Sequence, residues 1–334
     1  MPGLTLGYKA SAEQFPPRRL LDLALAAEGA GFDSVWTSDH FQPWRHTGGH
    51  APNALVWLGA ASQATSRVTL GTSVLTPSFR YNPAVVAQAF ATLGCLAPGR
   101  VILGVGTGES MNEVPVGIDW PEQSERFARL RESVELIGRL WREEFVNFEG
   151  EYFRTHDATI YDRPDDPPPV YIAASGPAAA RLAGRIGDGF ICTSGKGEEL
   201  YVRTLLPALA EGAAKAGRDA SAMDRMIEMK VSFDPDRARA MEDTKVWAAL
   251  ALPGDKKMGV HDPRELEELA KEAEPYAHTR WLVSDDPDEH VEQVATYLGY
   301  GFTHLVFHFP GEDQEAAIAR YGELILPRLR ERFD

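Results

Sequence analysis

A chain of 334 residues that is 44% hydrophobic and 25% charged has the composition of a folded globular protein, not of a disordered one. Its formal net charge of −15 leaves no basic stripe to neutralise a nucleic-acid backbone, although two or three converging cations would still hold a small anion. No apolar run reaches the ~18 residues of a membrane span, no signal-peptide pattern opens the chain, and Cys95 and Cys192 form no CxxC pair. These features predict a cytoplasmic protein with two buried, reduced thiols.

In chain order, short β-branched runs alternate with amphipathic helices. Leu4–Lys9 is the first expected strand, followed by a helix over Pro16–Gly29. Ser34–Asp39 is the second, with a helix near Asn53–Ala64 after a long loop. Val68–Leu75 and Arg100–Val105 are the third and fourth, separated by a helix over Asn82–Leu96 that Asn82-Pro83 opens. The rhythm then breaks into a charged helix, Ser124–Arg142, a small hairpin around Phe145–Phe153 and the proline-rich stretch Pro164–Pro169. It resumes with strands at Val170–Ala174, Gly189–Thr193, Met226–Phe233 and Thr303–Phe309. A last helix near Asp313–Leu326 should end or kink at Pro327. Eight such units predict a single α/β domain over 1–334, a (β/α)8 TIM barrel, with insertions at 110–169 after strand four and 234–285 after strand seven. An open doubly wound sheet is the alternative.

In a closed barrel the strand ends are where chemistry sits. The second strand runs into Asp39, His40 and Trp44: an acid, an imidazole and an indole. Lys9 and Glu13 follow the first strand, Ser73 and Thr76 the third, Thr107, Glu109 and Asn112 the fourth, Thr193 and Lys196 the sixth, and His308 the eighth. His40 and Glu109 suit a general acid–base pair that moves one proton each way. Gly104-x-Gly106-x-Gly108 lacks dinucleotide spacing and predicts a tight turn beside a flat ligand. Gly176-Pro177 opens a helix whose free N–H groups could cradle an anion. Lys257 and Arg280 are either surface charge or anion ligands. No metal site is expected, because His304 and His308 would stand about 13 Å apart along one strand, and neither HxH nor HExxH occurs.

Several segments carry a resemblance. They include Ser38–His50 (SDHFQPWRHTGGH), Leu103–Glu109 (LGVGTGE), Glu125–Ser133 (ERFARLRES), Gly187–Leu200 (GDGFICTSGKGEEL) and Leu305–His308 (LVFH). The chain resembles, nearly end to end, the coenzyme F420-dependent glucose-6-phosphate dehydrogenase family of luciferase-like barrels. The resemblance implies an oxidoreductase of carbohydrate metabolism, a homodimer, that passes hydride from C1 of a hexose 6-phosphate to the deazaflavin F420. It implies Glu13, His40, Trp44 and Glu109 as active-site residues. Cofactor contacts would be Asp39, Ser73, Val74, Thr76, Thr107, Gly108 and Asn112, with Ser175, Gly176, Ala178 and Ala179 at the phosphate of its tail. Substrate contacts would be Thr193, Lys196, Lys257 and Arg280, with Lys256 the rival to Lys257. A cis peptide at Ser73–Val74 is also implied. His40 is preferred over Glu13 for the proton of the C1 hydroxyl, with Glu109 serving the cofactor and Trp44 the positive character at C1. Rival expectations are an FMN-dependent luciferase-like monooxygenase and an F420-dependent alcohol dehydrogenase or reductase.

Overall fold

Strand and helix alternate along the chain, and in the computed structural model, which describes residues 3–257 and 259–333, the strands close on themselves. The first four are β1 (Thr5–Ala10), β2 (Ser34–Thr37), β3 (Thr69–Thr72) and β4 (Val101–Val105). An antiparallel hairpin, β5 (Val146–Glu149) and β6 (Arg154–Ala158), stands apart from them. Next come β7 (Val170–Ala173), β8 (Gly189–Thr193), β9 (Asp224–Phe233), β10 (Leu282–Ser284) and β11 (His304–His308). Parallel pairing runs β1–β2–β3–β4–β7–β8–β9–β11 and returns from β11 to β1, a closed barrel of eight strands. Strand β10 escapes the sequence pattern because three residues are too few to show alternation. It pairs with the end of β9 outside the ring.

Alternate strand residues face opposite sides. Trp36, Ile102, Tyr171, Ile191, Met226 and Val306 form one buried cluster, and Val35, Leu70, Leu103, Ile172 and Phe190 belong to another with the surrounding helices. Each fully buried side chain of this size contributes about 1.5–3 kcal/mol. Asn53 and Asn82 cap the helices Ala54–Ala64 and Pro83–Leu96, accepting from the N–H groups of Val56 and Ala84. The charged helix Gln123–Arg142 packs against Pro83–Leu96, where the Trp141 indole donates to the Ala87 carbonyl at 2.8 Å.

Two expectations fail. The final helix does not stop at Pro327 but continues through 314–333. Proline removes an N–H and crowds the carbonyl four residues back, and here a π turn, Tyr321–Ile325, widens the helix just before it. The same device, Tyr201–Leu205, precedes Pro207 in the helical stretch 198–215. Cys95 is exposed, not buried. Its neighbours Leu93 and Gly94 occupy the inward face of the helix Pro83–Leu96, and one further step around the turn points Cys95 outward.

Candidate active site

A cavity of about 390 Å³ opens where the barrel strands end. Its walls bring together Asp39, His40, Ser73, Val74, Thr76, Thr107, Gly108, Glu109, Asn112, Ser175, Thr193 and Lys196, all expected from sequence. Glu13, Trp44, Lys257 and Arg280 stand behind or beside that wall. Gly176, Ala178 and Ala179 belong to the opening of the helix Pro177–Ile186, next to Ser175.

One side of the cavity is small and backbone-rich. The Ser73–Val74 peptide is cis, as the resemblance implied. The three glycines of the GxGxG run divide their work. A Cβ at Gly104 would strike the Thr72 carbonyl oxygen at 1.8 Å, so this glycine serves strand packing and not ligand approach. Gly106 leaves room for the Val74 side chain, and Gly108 has φ of +85°, a conformation that glycine adopts without strain. Asn112 accepts from the Phe41 N–H at 2.9 Å and so fixes the loop after β2. Asp39 faces the cavity, yet its carboxylate is committed: Arg80 binds it at 2.5 Å and the Tyr81 hydroxyl donates to it at 3.1 Å. Arg80 also pairs with the buried Glu113.

His40 occupies the centre. Its Nε2 lies 3.4 Å from Glu13 and 3.7 Å from Glu109, and its Nδ1 lies 3.3 Å from the Gln42 carbonyl. The Trp44 ring stands 6.0 Å from the imidazole. Burial would raise the Glu13 carboxyl, but His40 and Lys9 outweigh it and hold the group below its ordinary value. Glu109 is the solvent-facing member of the set, its side chain half-exposed. One buried carboxylate, one imidazole and one accessible carboxyl can relay a proton between a ligand and water.

The far end of the cavity is cationic. Burial, then Arg280 and Lys230, depress Lys196. Burial, with Lys196 and Arg280 close by, brings Lys257 down to about 8. The Lys257 ammonium lies over the Trp44 ring at 5.9 Å, whereas Lys256 points away to Glu272 at 2.6 Å. The structure thus separates the two rival lysines. Among the described residues, none of Lys196, Lys257 and Arg280 forms a salt bridge with a carboxylate. Arg280 instead binds the Gly195 carbonyl, and the Tyr201 hydroxyl accepts from the Lys196 backbone N–H at 2.9 Å, so the loop after β8 is tied at both residues. Met258, beside Lys257, lies outside the described residues.

Below this wall lies a charged layer of which the strand-end pattern marked Lys9 and His308 but not Glu228 or Lys230. Glu228, which lines the cavity, contacts Lys9 at 3.4 Å and Lys230 at 3.2 Å. Trp247 and Trp281 flank the buried His308. The available signal was the alternation Met226, Glu228, Lys230, Ser232 in β9, charge at inward positions of an apolar strand.

The luciferase-like monooxygenase family matches residues 4–304. An F420-dependent glucose-6-phosphate dehydrogenase of Beutenbergia cavernae is 67% identical over 98% of both chains. One from Mycolicibacterium smegmatis is 58% identical over 99% of both. Among solved structures, an F420-dependent secondary alcohol dehydrogenase in complex with an F420-acetone adduct superposes with a TM-score of 0.93 at 37% identity, covering 98% of this chain and 99% of that one. The coenzyme F420-dependent tetrahydromethanopterin reductase of Methanopyrus kandleri gives 0.80 at 25% identity, with the same coverage. The chain therefore belongs to the luciferase-like monooxygenase family, and within it stands with relatives that bear the name F420-dependent glucose-6-phosphate dehydrogenase.

Proposed function

We propose that this enzyme oxidises glucose 6-phosphate, or a closely related hexose 6-phosphate, to the 6-phosphogluconolactone type of product with coenzyme F420 as hydride acceptor. The observation that carries the substrate is the trio Lys196, Lys257 and Arg280. Gathering three cations with no salt-bridged carboxylate among the described residues, and only the more distant Glu109 favouring the charge of Lys257, costs free energy that a bound dianion would return. A neutral alcohol would leave that charge unanswered, and this disfavours the alcohol dehydrogenase reading despite the close superposition. The residues present also fit the cofactor. Val74, Gly106, Gly108, Ala173 and Ala174 offer a narrow, largely backbone slot for a flat ring. The helix Pro177–Ile186 opens at Gly176 with no side-chain cap, so its first N–H groups face outward beside Ser175 for an anionic tail.

F420, when bound, supplies a carbon that accepts hydride. The protein's share is positioning and proton movement. Lys196, Lys257, Arg280 and Thr193 hold the phosphate and thereby aim C1 of the sugar toward the slot. His40 takes the proton of the C1 hydroxyl as hydride departs, and the Glu13 carboxylate at 3.4 Å stabilises the imidazolium that results. The Trp44 face lies where positive character develops at C1. Glu109, at the exposed rim, exchanges its proton with water and serves N1 of the ring. We further read the protein as a cytoplasmic homodimer. The outward valines Val56, 75% exposed, and Val85, 53% exposed, give neighbouring helices an apolar face for a second copy.

The test is spectroscopic. Mixing protein, oxidised F420 and glucose 6-phosphate should bleach the deazaflavin absorbance, faster than with mannose or fructose 6-phosphate. Absence of bleaching with every sugar phosphate, alongside turnover with FMN and oxygen, would replace this reading.

A further inference from the structure

The layer beneath the cavity contains one residue whose placement the reaction above does not use. Lys9 is the penultimate residue of β1 and is only 4% exposed. A buried ammonium is costly unless each of its protons finds an acceptor. Here the Ser73 carbonyl at 2.8 Å and the Ser73 Oγ at 2.6 Å accept from it, and Glu228 pairs with it at 3.4 Å. Ser73 and Glu228 both line the cavity, from just after β3 and from β9, which lie far apart around the barrel. Lys9 therefore crosses the barrel interior as a strap between two walls of the slot.

We propose that Lys9 is a positioning residue, tying the Ser73–Val74 floor of the slot to Glu228 so that the floor keeps the height at which the cofactor ring binds. The proposal rests on the reading of the cavity as an F420 site. A second effect follows from charge. Glu13 is faced by Lys9 from β1, by His40 from the loop after β2 and by the Ser38 hydroxyl. Around Lys9 itself stand Glu228 and Lys230 from β9 and His308 from β11. Lys9 thus stands with His40 among the groups that favour the ionised form of Glu13.

The test uses Lys9→Met, which keeps an unbranched side chain, one atom shorter, and deletes its charge. F420 affinity is read by fluorescence titration without sugar, and the pH profile of kcat/KM is read at saturating F420. The parent chain is titrated first. In Lys9→Met the Kd for F420 should rise about tenfold, while the KM for glucose 6-phosphate changes less than twofold. The acidic limb of the profile should move to higher pH, because Glu13 then protonates more readily. A merely structural role would leave that limb in place. Should Lys9→Met fail to fold, Ser73→Ala removes one of the strap's bonds with little change of volume. It should weaken F420 binding about threefold and leave the acidic limb unmoved. A folded Lys9→Met with parental Kd and parental limb, or a Ser73→Ala with parental Kd in its place, would overturn the proposal alone. A parent chain that binds no F420 would overturn the cofactor reading and this proposal with it.

Discussion

Strands β9 and β11 pair an acid with a histidine at both ends of the barrel, and the two pairs have opposite characters. At the amino-terminal end Asp224 accepts from Tyr171 and Thr303 and meets His304, each at 2.8 Å, and the other ring nitrogen of His304 lies 2.7 Å from the Ser34 hydroxyl. Every group there has a partner inside the protein. Although burial opposes it, this network holds the Asp224 carboxyl down to about 2. Four residues along the same strands, Glu228 and His308 face each other at 3.5 Å, long for a hydrogen bond, and Glu228 is shared with Lys9 and Lys230 beside an open cavity. One end is a closed network that braces the barrel. The other borders the cavity, with Glu228 held by two lysines and both ring nitrogens of His308 without a hydrogen-bond partner among the described residues. The same residue types on the same two strands thus form a closed network at one end and border a cavity at the other.

Substitutions can break this contrast in order of expected effect. His40→Ala should lower kcat by about 10²–10⁴ with F420 binding intact, as measured by single-turnover absorbance and fluorescence titration. Turnover near the parent level would remove His40 from proton transfer. Lys257→Ala deletes a charge-assisted contact worth about 1.5–3 kcal/mol, so the KM for the sugar phosphate should rise roughly 10- to 100-fold with kcat little changed. The Lys256→Ala substitution should change neither constant by more than about twofold, since Lys256 pairs on the surface with Glu272. Because burial and its cationic neighbours bring Lys257 to about 8, its charge is lost as pH rises through that value. The anion requires the charged form, so the KM should climb above pH 8 by up to about tenfold per unit, and this climb should vanish in Lys257→Ala. At the closed end, Asp224→Asn should cost about 2 kcal/mol and lower Tm by a few degrees while kcat/KM stays within about twofold of the parent. Loss of activity without loss of stability there would erase the distinction between the two ends.

Much of this was legible in the chain. Short apolar, β-branched runs between amphipathic helices located the eight barrel strands to within a few residues, because strands buried on both faces read as continuous apolar runs. The strand-end rule led to His40, Glu109 and Lys196, which do meet in one cavity. What escaped shares a cause: it depends on how residues distant in sequence meet. Asp39 looks like a free acid until Arg80 is found on it. The two lysines at 256 and 257 are equivalent in sequence, and only the course of their loop decides which meets Trp44. Pro327 reads as a stop unless the π turn before it is known. Lys9 and Glu228 were visible as charges in apolar strands, but nothing local shows that they touch.

The central claim is that the open end recognises a phosphate through cations that the protein leaves without carboxylate partners. It is tested most directly by a cycle with glucose and glucose 6-phosphate, in the parent and in Lys196→Ala/Lys257→Ala, following F420 bleaching. In the parent, loss of the phosphate should reduce kcat/KM by about 10³ or more. In the double variant the two sugars should differ by about tenfold or less, because the contacts that distinguish them are gone. An unchanged ratio in the double variant would contradict the account.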